Sequence, residues 1–129
     1  FSVDKMASID LEHALPRVDA FYRYTFTKAE RDWVRRHAND DAASANWLFT
    51  LLWTLKESAL KLDTAGELSV WDLQRIEIEN LPPSGTLIPD DGFVSFRSRV
   101  KKRSHIIDVG VTVTRNCNHV LTVMTPLME

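Results

Sequence analysis

Between Ala42 and Leu62 the apolar residues Leu48, Leu51, Leu52, Leu55, Ala59 and Leu62 recur at intervals of three and four, the spacing of one buried helical stripe. The spacing predicts a long helix that begins near Ala42 and stops near Thr64-Ala65-Gly66, Gly66 being a natural C-terminal stop. Counted from Trp53, Lys56, Glu57, Leu60 and Lys61 fall at i+3, i+4, i+7 and i+8, so a second face should carry one carboxylate between two ammonium groups and an indole. Upstream, Thr27-Lys28-Ala29-Glu30 has the form of a capping box. It opens a helix to about Arg36 or Ala38, with Trp33 expected to point inward. Pro16 precedes a short, partly helical segment from Arg17 to Tyr24, and Asn39-Asp40-Asp41 separates the two longer helices.

Elsewhere the pattern has a period of two. Strands are predicted at Ser2 to Glu12, Gln74 to Glu79, Phe93 to Val100, Ile106 to Thr114 and His119 to Thr125. Turn-rich stretches separate them, including Leu81 to Gly85 and Pro89 to Gly92. Lys101-Lys102-Arg103 and Asn116-Cys117-Asn118 are expected at turns. One strand, two to three helices and then an antiparallel meander packed on the long helix make an α+β domain. Its 129 residues suit a single domain.

Composition narrows the function classes. The chain is 44% apolar and 26% charged with a net charge of −2, which argues against a dedicated nucleic-acid binder and a two-metal nuclease. No apolar run approaches the roughly 20 residues of a membrane span and no signal peptide is visible, so a cytoplasmic location is expected. The single Cys117 excludes an internal disulfide and reads as a buried structural thiol. The first residue is Phe1, which points to a processed product or a piece of something larger.

Candidate chemistry begins with Asp10 and Glu12, which at i and i+2 of a strand project from the same face. Paired carboxylates repel and raise each other's pKa. A hard divalent cation removes the conflict, and Mg2+ commonly takes one or two carboxylates together with substrate phosphate oxygens. On two residues alone, a solvated strand end is the favoured explanation of the pair.

Three motifs then stand in order: Ser8-Ile9-Asp10-Leu11-Glu12, Phe26-Thr27-Lys28-Ala29-Glu30 and Trp53-Thr54-Leu55-Lys56-Glu57-Ser58-Ala59-Leu60-Lys61. Together they resemble the 4′-phosphopantetheinyl transferase superfamily across essentially the whole chain. The Trp-Thr-x-Lys-Glu-Ser wording is most similar to the carboxy-terminal half of the surfactin-synthetase-activating type, a pseudodimer of two similar halves. The single-half, homotrimeric holo-carrier-protein synthases match the length but usually read Ala-Ala-Lys-Glu-Ala.

The resemblance implies transfer of the 4′-phosphopantetheine arm of coenzyme A to a serine of an apo acyl or peptidyl carrier protein. It implies Mg2+ (or Mn2+) held by Asp10, Glu12 and Glu57, and Glu57, Lys61 and Glu30 as catalytic candidates. Lys56, Lys61 and Trp53 would line the cofactor, and Arg17 and Arg23 would meet the carrier protein. Glu30 is explained equally by its place in the capping box, whereas for Trp53 a place in the core is the favoured explanation.

The chain departs from the family pattern in three ways. Ser8 replaces the usual Gly, the first half's Ser-x-Ser-His element is absent with Arg115 where a histidine would stand, and the chain begins just before the Asp strand. Hence a homo-oligomer or a missing amino-terminal half is expected to complete the site. The alternative is a catalytically silent half that serves as a structural or interaction module of a larger synthase or two-half transferase.

Overall fold

The computed structural model describes residues 7–13, 19–62, 76–79, 92–102, 105–116 and 119–127. Its elements run β1 (Ser8–His13), α1 (Asp19–Thr25), α2 (Lys28–Ala38), α3 (Ala42–Lys61), β2 (Ile76–Glu79), β3 (Phe93–Lys102), β4 (His105–Asn116) and β5 (His119–Pro126). The α+β class and the order of strand, helices and antiparallel meander follow the sequence pattern. The expectations for Ser2 to Met6, Arg17, Gly66, Arg103 and Cys117 fall outside the described residues.

The five strands form one antiparallel sheet in the order β1-β5-β4-β3-β2, so the first strand closes against the last. Asp10 stands opposite Thr122 in that pairing. Lys101 and Lys102 belong to β3, opposite Ile106 and His105, and Asn116 is the last residue of β4, opposite His119. These residues were expected at turns. Ladder pairing extends the long β3–β4 and β4–β5 hairpins past the point where the hydrophobic alternation ends.

α3 lies across the inner face of the sheet and touches β1, β5, β2 and α2. Its predicted stripe is the core: Leu48, Leu51, Leu52, Leu55, Ala59 and Leu62 are buried, against Val109, Val111, Val113, Val120 and Met124 of the sheet. α2 starts at the expected capping box, in which Thr27 Oγ1 accepts from Glu30 N–H and Glu30 Oε1 accepts from Thr27 N–H. Trp33 and Val34 point into the core as the pattern predicts. Phe21, Tyr22, Phe26, Phe49 and Trp53 form an aromatic cluster that fastens α1 to α3.

β1 reverses the usual polarity of a half-buried strand. Ser8 and Asp10 are buried and face α3, with Glu12 half-buried on the same side, whereas Ile9 and Leu11 are 57% and 60% exposed on the outer face. A strand stabilised by its own amphipathicity would do the opposite. Violations of this kind gather at functional sites.

Candidate active site

Two polar flanks border the apolar stripe of α3, because an α-helix turns about 100° per residue. Lys56 and Lys61, five residues apart, therefore diverge by about 140°. One flank, carrying Thr54, Ser58 and Lys61, meets β1 and β5; the other, carrying Lys56, meets α2 and β2.

On the β1 side, Lys61 Nζ lies 2.9 Å from Asp10 Oδ1 and 2.8 Å from the carbonyl oxygen of Ile9. The Asp10 side chain is 8% exposed and that of Lys61 48% exposed, so the pair sits at the mouth of the helix–strand seam. The other Asp10 oxygen, Oδ2, is buried and has no hydrogen-bond partner among the described residues. Such a group is costly unless something else meets it. Glu57, half-buried, joins the same cluster. Its carboxyl is held above the ordinary value by burial first and then by the negative charge of Asp10, with Glu12 adding to the effect and Lys61 opposing it. Asp10, Glu12, Glu57 and Lys61 thus share one electrostatic neighbourhood.

Among the described residues, no three Asp, Glu, His or Cys side chains are already gathered around one point. Lys61 supplies the positive charge at Asp10 Oδ1. The fit to a cation rests on the donor set: three carboxylates, one with an orphaned buried oxygen, are the oxygen-only ligands that hard ions such as Mg2+ or Mn2+ take.

On the other flank the arrangement differs from the sequence expectation. Lys56 was expected to face the same way as Glu57 and Lys61 and to steady a cofactor phosphate. It is fully buried instead, with Nζ 2.8 Å from Glu30 Oε1 and 2.6 Å from the carbonyl oxygen of Ile76. Burial pushes its ammonium below the ordinary value, while Glu30 and Glu77 pull it back up. Glu30, also a catalytic candidate, is 2% exposed and occupied by Thr27 N–H, Lys56 and, at 3.4 Å, Ile78 N–H. The pair locks α2, α3 and β2 together. Its charges act on each other and on Glu77, away from the Asp10 cluster.

Trp53 is half-buried, its ring 4.9 Å from that of Phe21, within the aromatic cluster one turn before Glu57. Arg23 lines a cleft of about 390 Å³ between α1, α2 and α3, together with Tyr22, Val34, Phe49, Arg31, Arg35 and the acidic Asp19; Arg35 also pairs with Asp32 at 3.2 Å. Arg115 packs over the Trp47 ring at 5.4 Å. The expected partner-binding residue Arg17 lies outside the described residues.

Sequence reasoning missed the hydroxyl groups that tie the two layers. Ser8 Oγ donates to the carbonyl oxygen of Ser58 at 2.8 Å, and Thr54 Oγ1 meets Thr122 Oγ1 at 2.7 Å. The only signal was that Thr54 and Ser58 stand at the edge of the apolar stripe.

Comparison with known families decides the lineage. The profile of the 4′-phosphopantetheinyl transferase superfamily matches residues 8–110, from the first residue of β1 into β4. The chain belongs to this superfamily. No curated protein matches it. The matched span contains Asp10, Glu12, Glu57 and Lys61, so the residues gathered at the seam are all within the family's own region. Among the described residues, no helix is long and apolar enough to cross a membrane.

Proposed function

We propose that this chain transfers the 4′-phosphopantetheine arm of coenzyme A to a serine of an apo acyl or peptidyl carrier protein. The observation that supports this best is the inverted polarity of β1, which turns Asp10 and Glu12 inward toward Glu57 and Lys61. Such inversion leaves Ile9 and Leu11 on the outer face of this chain, and a domain that needed only its own fold would gain nothing by it.

Mg2+ or Mn2+ would be held by Asp10, Glu12 and Glu57. Bound there, it would offset the charge that develops on the diphosphate during transfer. Lys61, on a long and half-exposed stem at the seam, pairs with a phosphate oxygen of coenzyme A. In the transfer the carrier serine Oγ forms a bond to the β-phosphorus. The bond from that phosphorus to the bridging oxygen breaks, and 3′,5′-ADP leaves with the electron pair. The serine proton passes to the Glu57 carboxylate, whose proton affinity is raised by burial and by Asp10. Lys56 and Glu30 act from the opposite flank by holding α3 in place.

Arg23, with Arg31 and Arg35 around an apolar floor, suits an acidic helix that inserts a large apolar side chain, which is how a carrier protein would dock. The exposed Ile9 and Leu11, beside half-buried Val123 and Leu121 of β5, support completion of the site by a companion half or a second copy on that face. The Trp53-to-Lys61 wording favours a two-half transferase.

Incubation of the protein with coenzyme A, Mg2+ and an apo carrier protein should add the mass of one phosphopantetheine arm to the carrier. Failure to do so, with the natural companion half supplied, would instead make this a silent half that serves assembly.

A further inference from the structure

Ser8, Asp10 and Thr122 lie together on the inner face of the sheet: Ser8 two residues before Asp10 along β1, and Thr122 directly opposite Asp10 on β5. Thr54 and Ser58 flank Glu57 on α3, one three residues before it and the other immediately after. The structure joins these two sets by two short hydrogen bonds, Ser8 Oγ to the Ser58 carbonyl at 2.8 Å and Thr54 Oγ1 to Thr122 Oγ1 at 2.7 Å. Ser8, Thr54, Ser58 and Thr122 are all buried, the last three with no exposed surface.

The direction of the threonine bond follows from counting protons. Thr54 Oγ1 donates to the carbonyl oxygen of Leu51 at 2.7 Å, and a hydroxyl has only one proton to give. Thr122 is therefore the donor to Thr54, and the chain Thr122 to Thr54 to Leu51 carbonyl satisfies both hydroxyl protons without a water.

These bonds oppose a specific force. Asp10 and Glu57 carry like charge, and after burial Asp10 is the largest influence that raises the Glu57 carboxyl, so the two carboxylates push β1 and α3 apart. Apolar packing alone resists separation but tolerates sliding, whereas a short hydrogen bond between the layers sets both distance and register. Lys61 cannot do this by itself: its stem is flexible and its head is half-exposed.

We propose that the buried Thr54–Thr122 hydroxyl pair, with Ser8 on the other side, positions Glu57 relative to Asp10, and so sets the affinity of the seam for a divalent cation. These are positioning residues, not catalytic ones. The inference rests on the proposed function to the extent that Asp10, Glu12 and Glu57 are taken as cation ligands.

The test is Mn2+ binding by calorimetry on the purified protein, with thermal stability measured in parallel. Variants are the double valine T54V/T122V, the conservative T54S, and S8A. Replacing both threonines by isosteric valines removes the bond without leaving an orphaned hydroxyl, which keeps stability close to that of the wild type. The double variant should bind Mn2+ about tenfold more weakly, the order of loss seen when supporting contacts around a metal site are removed. T54S should retain wild-type affinity, and S8A should fall between. Unchanged Mn2+ affinity in a folded T54V/T122V protein overturns the proposal while leaving the carboxylate site intact. Loss of affinity in T54S as large as in the double variant also overturns it, because the hydroxyl would then not be the acting group. Absence of Mn2+ binding in the wild type overturns the cation reading itself, and the positioning claim falls with it.

Discussion

Lys61 reaches from the last turn of α3 to β1 and sets its ammonium 2.9 Å from Asp10 Oδ1, so it would compete with the cation proposed for that carboxylate. Replacement of Lys61 by Gln should therefore separate two quantities. Mn2+ binding should persist or tighten, because the competing ammonium is gone, while phosphopantetheine transfer falls. Stability should drop by about 1 kcal/mol, the scale of a charge-assisted bond at a half-exposed site. Calorimetry, a transfer assay and urea denaturation on one preparation check all three, and parallel loss of metal binding and transfer would contradict the assignment of Lys61 to phosphate.

Glu57 gives a pH signature. A carboxyl whose folded value is raised holds its proton more tightly in the folded state, so its contribution is favourable below the ordinary value of 4.5 and is lost as pH rises through the raised folded value. Glu57→Gln should remove that decline. Its stability relative to the wild type should improve from acid to neutral pH, and Mg2+ should stabilise the wild type at neutral pH but not the variant. Thermal unfolding across that range, with and without Mg2+, reads both effects. A constant difference between the two proteins at every pH would refute the shared neighbourhood of Glu57 and Asp10.

Lys56→Met should cost about 3–5 kcal/mol, because it leaves the Glu30 carboxylate buried without its cation. The consequence of the buried position is that transfer activity per folded molecule changes much less than stability does. Chemical denaturation alongside active-fraction-corrected kinetics distinguishes this from a phosphate contact, for which KM for coenzyme A would rise in a protein of normal stability.

The arginine-rimmed cleft predicts a salt-dependent partner. The double variant Arg23→Glu/Arg35→Glu should raise KM for the carrier protein about tenfold or more and leave KM for coenzyme A unchanged, with the wild-type carrier KM rising with ionic strength. Equal effects on both substrates would place the arginines elsewhere in the reaction. Arg31 is left intact here because it donates to the carbonyl oxygens of Arg23 and Phe26 and so holds the α1–α2 turn.

Local chemistry carried much of the architecture. Thr27 and Glu30 define the start of α2 by themselves, since a capping box is satisfied within four residues. Leu48 to Leu62 identify the buried side of α3 by period alone, and Asp10 and Glu12 share a face because any strand alternates. Lys56 escaped this logic. Spacing places it near Glu57 on a helical projection, but its direction was decided by Glu30 and the Ile76 carbonyl, which come from elements 26 residues before it and 20 after it.

The sequence alone therefore determined the helices, the strand alternation, the composition of the core stripe and the family to which the motifs belong. All of these depend on period, capping and residue order, which are local. Only the tertiary structure decided that β1 pairs with β5, that Thr122 stands beside Asp10, that Lys61 meets Asp10 while Lys56 meets Glu30, and that hydroxyl groups tie α3 to the sheet. Those facts depend on which distant groups a buried polar atom finds as partners, and that choice is made only when the layers pack.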